Sequence, residues 1–273
     1  MPHIYKPEEH WNTDGGYPSA LAIGDSWFWY INNSMLGTLV NHPHLSDDHR
    51  NVQLVGYNGA RLADYVGGGR FADIVAHFLQ PAYAESFSEF YISGAGNDAV
   101  DVGLALRPDC SAAGTAADCV DDASMDELLG RLSATLRELI AAIRAGTPNG
   151  VLPRPIFIHG YDYPVPDGRG FGFGLIHSGP WLAPALDAHR VPPDMALRAA
   201  IAQLLIDRLN EDVFAPLHDP HAHVIHIDSR GILTRTGGYT DDWANEMHPT
   251  NRGFARIFEA AWLPALRGYG IAH

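Results

Sequence analysis

Five short apolar segments rich in strand-forming residues recur along this sequence, and each ends in small or turn-forming residues. In chain order they are ALAIGDS, NVQLVGYN, EFYISGAGND, RPIFIHGYDY and HVIHIDSRG. Helical patterns lie between them. The clearest covers residues 124–146: Ser124 and Glu127 form a capping box with Ser124 as N-cap, and Gly146 ends the helix. Apolar strands that alternate with helices predict a parallel sheet covered on both faces.

This alternation of strands and helices predicts one α/β domain over residues 1–273. The domain is expected to be a three-layer α/β/α sandwich around a five-stranded parallel sheet. Two further helices are predicted over 192–217 and 250–266, the second capped by Thr250. The sequence contains no internal repeat and no Pro/Gly-rich linker that would divide it.

Two loop-rich insertions interrupt the alternation of strands and helices, at residues 99–123 and 161–191. Both follow the carboxyl end of a predicted strand. Ligands bind at that edge in open α/β sheets, so we expect the insertions to border a binding site.

Composition excludes several classes of function. A formal charge of −14 argues against nucleic acid or an anionic membrane as the main partner.

The first residues, MPHIYKPEEHWNTDGG, contain no basic segment followed by an apolar one, so no signal peptide is visible. No apolar run reaches the ~18 residues that a membrane span needs. We expect a soluble protein, with its compartment and oligomeric state left open.

The two cysteines, Cys110 and Cys119, lie nine residues apart in the polar first insertion. We favour a disulfide between them, which would order the insertion and indicate an oxidising compartment, and therefore an exported protein. The alternative is a pair of free thiols in the cytosol.

Polar residues at the predicted strand ends form a set that suits acyl transfer. Ser26 follows the first strand, Gly59 and Asn97 follow the second and third, and His248 precedes the last helix. A serine hydroxyl becomes a nucleophile when an imidazole accepts its proton, so His248 would be the base. The Gly59 N–H and the Asn97 carboxamide would stabilise the oxyanion.

Simpler interpretations exist for each of these residues. In these interpretations Ser26 serves only as a helix N-cap, Asn97 as a turn residue and His248 as a surface residue before a helix. Asp25 and Asp98 are expected to hydrogen-bond the turns that carry Ser26 and Asn97, without acting as acids in the chemistry.

Four motifs in order, GDS, GYNGARL, GAGND and a His-Pro near the C-terminus, resemble those of the SGNH (GDSL) hydrolase superfamily over residues 19–262. The resemblance implies a flavodoxin-like sheet of order 2-1-3-4-5. It also implies ester hydrolysis by Ser26 and His248, with an oxyanion hole formed by the N–H of Ser26, the N–H of Gly59 and the side chain of Asn97. No cofactor is expected.

This sequence departs from the family pattern at two positions. Ala95 stands where the family usually has glycine, and Asn245 stands three residues before His248, where the family has aspartate. An Asn carbonyl accepts the imidazole N–H but brings no charge to stabilise the imidazolium. A serine nucleophile and its histidine base usually act with a third group that accepts the second imidazole N–H. For His248 the candidates for this group are Asn245, one of the nearby acids Asp242 and Glu246, a backbone carbonyl or a water molecule.

Two further clusters have both functional and structural interpretations. The histidine-rich segment HDPHAHVIH has no acidic or cysteine partner beyond Asp219 and begins before a strand, so we expect no metal there; its histidines are His218, His221, His223 and His226. The aromatic run at 27–30 is expected in the core, with one or two residues as a possible substrate subsite. Residues 160–174 fit a substrate wall or lid, or an ordinary loop.

Together these features favour a serine ester hydrolase, of the esterase or lipase type, that forms an acyl-enzyme on Ser26 and acts on a small-molecule ester with a simple acyl group or an acetylated sugar. One alternative is an acyltransferase on the same fold. Another is a catalytically inactive ligand-binding module, which the amide at Asn245 suggests.

Overall fold

The computed structural model describes residues 2–11, 16–30, 33–100, 105–146, 153–173 and 176–273. Eight strands occur in these ranges: β1 (His3–Tyr5), β2 (Ala20–Gly24), β3 (Asn51–Gly56), β4 (Glu89–Ser93), β5 (Ile156–His159), β6 (Phe171–Phe173), β7 (Ile176–Ser178) and β8 (Val224–Ile227). The α-helices in these ranges are α1 (Ser26–Trp29), α2 (Met35–Asn41), α3 (Ala72–Phe78), α4 (Pro81–Ala84), α5 (Gly96–Val100), α6 (Ala116–Cys119), α7 (Asp122–Ala145), α8 (Leu182–Ala188), α9 (Met195–Arg208), α10 (Asn251–Ile257) and α11 (Leu263–Arg267).

Six of the strands form one parallel sheet, in the order β1-β3-β2-β4-β5-β8. Without β1 this order is 2-1-3-4-5, so the predicted topology and the α/β class are confirmed. The strand count was one too low, because β1 has only three residues and is too short to show a strand pattern. It extends the edge of the sheet beside β3.

Helices cover both faces of the sheet, as the apolar strands require. Every residue of β2 and β4 is buried, which leaves neither strand a solvent-facing side. In one group of helices, α2 packs with α1, α10 and the π-helical turn Phe258–Trp262. In another, α7 packs with the 3-10 turn Leu62–Tyr65 and the π-helical turn Leu209–Phe214.

All three predicted helices are present with shifted starts: α7 begins at Asp122 instead of 124, α9 at Met195 instead of 192, and α10 at Asn251 directly after its cap. The region 192–217 contains α9, which continues through Leu209–Phe214 and a 3-10 turn at Ala215–Leu217. Thr250 caps α10 as predicted, since its Oγ1 accepts a hydrogen bond from the Gly253 N–H at 3.1 Å.

The predicted N-cap of α7 was wrong. Asp121 is the cap, and its carboxylate accepts from the backbone N–H of Ser124 at 2.9 Å, so Ser124 lies inside the first turn. Both residue types suit an N-cap, and the carboxylate gains additionally from the helix dipole. Gly146 ends α7 as predicted.

The predicted disulfide is not formed. Cys110 and Cys119 are buried free thiols, and Cys110 Sγ donates to the carbonyl of Cys119 at 3.7 Å. The insertion is ordered by backbone pairing instead: the Arg107 N–H donates to the Cys119 carbonyl at 2.8 Å, and Leu106 bridges Val120. Burial raises the pKa of Cys119 to about 12, so its thiol stays protonated at neutral pH.

The second insertion contributes the β6–β7 hairpin and α8. Within the described ranges, no helix is both long enough and apolar enough to cross a membrane.

Candidate active site

The turn after β2 carries Ser26 into the first helix. Asp25 is the N-cap of α1, and its carboxylate accepts from the Trp27 N–H at 3.1 Å. Ser26 is the first helical residue and is buried, so the cap function belongs to its neighbour. Gly24 allows the close packing before this turn, because a Cβ there would lie 2.8 Å from the Ser93 carbonyl.

His248 reaches Ser26 from the loop that precedes α10. Its Nε2 lies 2.7 Å from Ser26 Oγ, and its Nδ1 lies 3.0 Å from Asn245 Oδ1. The same Asn245 oxygen accepts the backbone N–H groups of Met247 and His248, each at 3.0 Å. These two donors require an oxygen at that position, so the amide presents its carbonyl to the ring. The proton of a neutral imidazole then lies on Nδ1, and Nε2 is free to accept from the serine.

Burial determines the charge of this imidazole. It lowers the pKa of His248 to about 4, and among the described residues no carboxylate opposes the effect. His248 is therefore neutral at neutral pH, the form that a general base needs.

The two alternative acids lie in other hydrogen-bond networks. Asp242 accepts from the Thr234 N–H at 2.9 Å and contacts the guanidinium of Arg256. Glu246 is fully buried, and its carboxylate accepts four backbone N–H groups at 2.8 to 3.0 Å, from Gly168, Trp181, Leu182 and Ala183. Among the hydrogen bonds of the described residues, Asn245 is the side-chain partner of His248 Nδ1.

Sequence reasoning considered Glu246 only as an acid for His248 and missed its structural contacts. Three of its four N–H donors belong to the start of α8, so this carboxylate joins the second insertion to the loop that carries His248. No local pattern signals such a contact, because the donors lie more than 60 residues away in the chain.

The predicted oxyanion donors come together at the ends of β3 and β4. Gly59 has a φ of +75°, and nothing lies within 4 Å of a Cβ built on it. The Asn97 amide donates to the carbonyl of Ala60, next to Gly59, at 2.9 Å. The hydrogen bonds of the described residues include none donated by the backbone N–H of Ser26 or Gly59. Both groups can therefore serve an oxyanion.

The turn that carries Asn97 explains one departure from the family pattern. Ala95 has a φ of +83°, in the left-handed region where glycine is favoured. The usual glycine suits this backbone, and alanine adopts it at some cost in strain. Asp98 has a structural contact, but with another segment than predicted: its carboxylate accepts from the Leu62 N–H at 3.1 Å and so connects the turn that carries Asn97 to the segment after β3.

Asp25 has a second set of partners below the nucleophile. Its carboxylate accepts from Tyr161 Oη at 2.5 Å and from Ser93 Oγ at 3.0 Å. Burial nevertheless raises the pKa of Asp25 to about 6. Tyr161 was not singled out in the sequence, although its position directly after β5 marks it as part of the same edge of the sheet.

A mostly apolar cavity opens beside Ser26. Besides Asp25, Ser26 and Asn97, its lining residues are Trp27, Gly96, Tyr161, Asp162, Pro164, Leu182, Ala202, Leu205, Ile206 and Met247. The second insertion and α9 supply much of this wall. The segment 160–174 therefore contributes to a wall beside the candidate nucleophile, through Tyr161 and Pro164.

The aromatic run after Ser26 is divided between core and site. Trp27 and Phe28 are buried, and Trp27 Nε1 donates to the Met247 carbonyl at 3.0 Å. Tyr30 is half-buried and meets the His248 ring at 5.2 Å, while Trp181 meets it at 5.6 Å. Aromatic rings therefore flank the imidazole.

The histidine-rich segment has other partners. His226 Nε2 lies 2.9 Å from Asn210 Oδ1, and the His226 N–H donates to His218 Nδ1 at 3.1 Å. Within the part of the chain that the structure describes, no group of three His, Cys, Asp or Glu side chains is arranged to hold a metal ion.

Similar folds occur among solved structures. A lipase from a goat rumen metagenome is 14% identical, with a TM-score of 0.53 over 94% of this chain and 99% of its own. The extracellular lipase of Streptomyces rimosus is 15% identical, with a TM-score of 0.50 over 92% of this chain and 99% of its own. No protein-family model and no curated protein matches the sequence. The chain shares its fold with these two lipases, and its sheet has the strand order that the resemblance of the four motifs implies.

Proposed function

We propose that this protein is a serine ester hydrolase that forms an acyl-enzyme on Ser26, with His248 as general base. The observation that carries the proposal is the contact of 2.7 Å between Ser26 Oγ and a neutral His248 whose Nδ1–H is held by Asn245. The likeness in fold to two lipases supports the same reaction class.

The first half of the reaction uses the groups around Ser26. As Oγ attacks the ester carbonyl, its proton moves to His248 Nε2 and the carbonyl oxygen becomes an oxyanion. The N–H groups of Ser26 and Gly59 and the Asn97 amide are the proposed donors to that oxygen. Removal of one such donor costs about 10²–10³ in kcat in well-studied serine enzymes.

The second half returns the enzyme to its starting state. The bond between the acyl carbon and the alcohol oxygen breaks, and the imidazolium gives its proton to the leaving oxygen. Water then attacks the acyl-enzyme with His248 again as base, the bond between the acyl carbon and Ser26 Oγ breaks, and His248 returns the proton to Oγ as the acid leaves. Asn245 keeps the ring oriented throughout and contributes a dipole in place of a charge. Every proposed step uses groups of this chain and water, so the mechanism needs no cofactor.

The substrate that fits this proposal is a small-molecule ester. The cavity beside Ser26 is mainly apolar, which suits a simple acyl group. Rings beside His248 suit an apolar alcohol or a sugar as the leaving group.

Replacing the nucleophile tests the proposal. Ser26→Ala is expected to lower kcat/KM for p-nitrophenyl acetate and butyrate by at least about 10³-fold and to abolish labelling by a fluorophosphonate probe. The matched control is Ser229→Ala, because Ser229 is also buried at a strand end but donates to the Gly160 carbonyl.

Three outcomes separate the alternatives. Unchanged turnover in a folded Ser26→Ala variant would refute the proposal. A wild-type protein that is folded, unlabelled and inactive would favour a ligand-binding module. Transfer of the acyl group to added glycerol in preference to water would favour an acyltransferase.

A further inference from the structure

The cavity beside Ser26 lies on one side of the proposed reaction centre. The described residues that line it include Ser26 and Asn97 and do not include His248. A leaving alkoxide must come within hydrogen-bond reach of His248 Nε2 to be protonated. The leaving group therefore belongs on the imidazole side, where the rings of Tyr30 and Trp181 contact His248, and the acyl chain belongs in the cavity.

The chemistry of the wall agrees with this assignment. Much of the lining is apolar: Leu182 from α8, Met247, and Leu205 and Ile206 from α9 are hydrocarbon and thioether side chains. The polar residues in the lining are engaged within the protein, since Tyr161 donates to Asp25 and Asp162 accepts from the Gly231 and Leu233 N–H groups. Each acyl methylene buried against such a wall is worth about fourfold in binding.

The size of the cavity limits the chain that it can hold. Its volume is about 40 Å³. One water molecule needs roughly 10–15 Å³ of such a cavity, so the space suits a short acyl group. The α9 side chains that bound it are themselves buried, Leu205 at 6% and Ile206 at 8% exposure, so the wall is packed from behind.

We infer that this cavity is a short acyl pocket closed by α9 and that the enzyme selects acyl groups of about two to four carbons. The inference rests on the proposed function. Leu205 and Ala202 determine the length, because both line the cavity and lie on the same helix.

The wild-type enzyme provides the first test. A series of p-nitrophenyl acetate, butyrate, hexanoate and octanoate is expected to give its highest kcat/KM at acetate or butyrate and a fall of at least about tenfold by octanoate. A rate for octanoate equal to or above that for butyrate would overturn the inference while leaving the proposed function intact. Inactivity toward all four esters, together with no fluorophosphonate labelling, would count against the proposed function itself.

Two variants change the pocket in opposite directions. Leu205→Ala is expected to raise the ratio of hexanoate to butyrate turnover about tenfold, since it admits roughly two more methylenes. Ala202→Val is expected to lower the ratio of butyrate to acetate turnover about fourfold. Leu197→Ala is the matched control, because Leu197 is buried on the same helix but does not line the cavity.

The ratios separate a change in the pocket from a loss of stability, because a destabilised enzyme loses activity toward all the esters by the same factor. Ratios that stay constant in both pocket variants, or that shift equally in Leu197→Ala, would refute the role of α9. If Leu205→Ala does not fold, Ala202→Val and the wild-type series still decide the question.

Discussion

A carboxylate at position 245 would change the charge of the proposed base without changing its geometry. Asn245 Oδ1 lies 3.0 Å from His248 Nδ1 and is held by the N–H groups of Met247 and His248. Asn245→Asp exchanges only the amide nitrogen for oxygen, so the three hydrogen bonds to Oδ1 can remain. The imidazolium then gains an adjacent negative charge.

The size of the effect follows from the distance. Two unit charges about 4 Å apart at an effective dielectric constant of ~20 interact by about 4 kcal/mol, close to three pKa units. Opposite charges at this range typically shift a pKa by about one to three units. The pKa of His248, which burial lowers to about 4, is expected to rise to roughly 5–7 in the variant.

The rate at high pH is expected to rise as well, but by a limited factor. Exchange of acid for amide costs about 10⁴ in kcat in the well-known serine protease case, where the imidazole also takes the wrong tautomer. Here the amide oxygen already faces Nδ1, so the tautomer is correct in the wild type. We expect Asn245→Asp to gain at most about 10² in kcat, which is the part due to charge.

The measurement is kcat/KM for p-nitrophenyl butyrate between pH 4 and 9. The acidic limb of the wild type is expected near pH 4 and that of Asn245→Asp at least one unit higher. Asn41→Asp is the control, because it changes the net charge equally on an exposed position of α2. A wild-type limb near pH 6.5 that does not move in Asn245→Asp would refute the reasoning, since another group would then be supporting the imidazole.

Two further expectations concern stability. Burial raises the pKa of Asp25 to about 6, above its ordinary value of 3.8, so the folded state loses stability as pH rises from about 4 to about 6, by roughly 3 kcal/mol. Asp25→Asn should remove this loss. The difference in Tm between the variant and the wild type should therefore shift in favour of the variant as pH rises from about 4 to about 6, and a difference that stays constant would contradict the raised pKa of Asp25. Thr250→Ala removes the acceptor for the Gly253 N–H and should cost about 1 kcal/mol in the free energy of unfolding measured in urea. A cost below about 0.3 kcal/mol would mean that this cap contributes little to α10.

The strands could be predicted because their signals are local, whereas their order in the sheet was implied only by the resemblance of the four motifs to the SGNH (GDSL) hydrolases. Each apolar run ends in residues that cannot continue a strand, and the parallel arrangement then sends those ends to one edge of the sheet. That is why Ser26, Gly59 and Asn97 could be grouped from the sequence alone. The start of α7 shows the limit of local rules, because Asp121 and Ser124 both suit the N-cap and the sequence does not rank them.

Contacts between distant segments could not be predicted in the same way. Cysteine spacing does not determine the relative direction of two Cβ atoms, so the nine-residue separation of Cys110 and Cys119 could not decide for or against a disulfide. The contribution of α9 to the wall of the cavity depends on how the second insertion folds back toward Ser26. The sequence marks α9 as a helix without indicating which face lines the site.

The segment Asn245–His248 links these distant parts, and its burial offers a reason for the amide. Asn245 orients the imidazole, Glu246 binds the start of α8, and the carbonyl of Met247 accepts from Trp27. Asn245 and Glu246 are both almost fully buried, and Glu246 already brings one carboxyl group to this segment. A second buried carboxylate next to it would lose hydration and repel the first, at a cost of several kcal/mol whenever the imidazole is neutral. The amide avoids that cost and keeps the tautomer, at the expense of the charge that would stabilise the imidazolium.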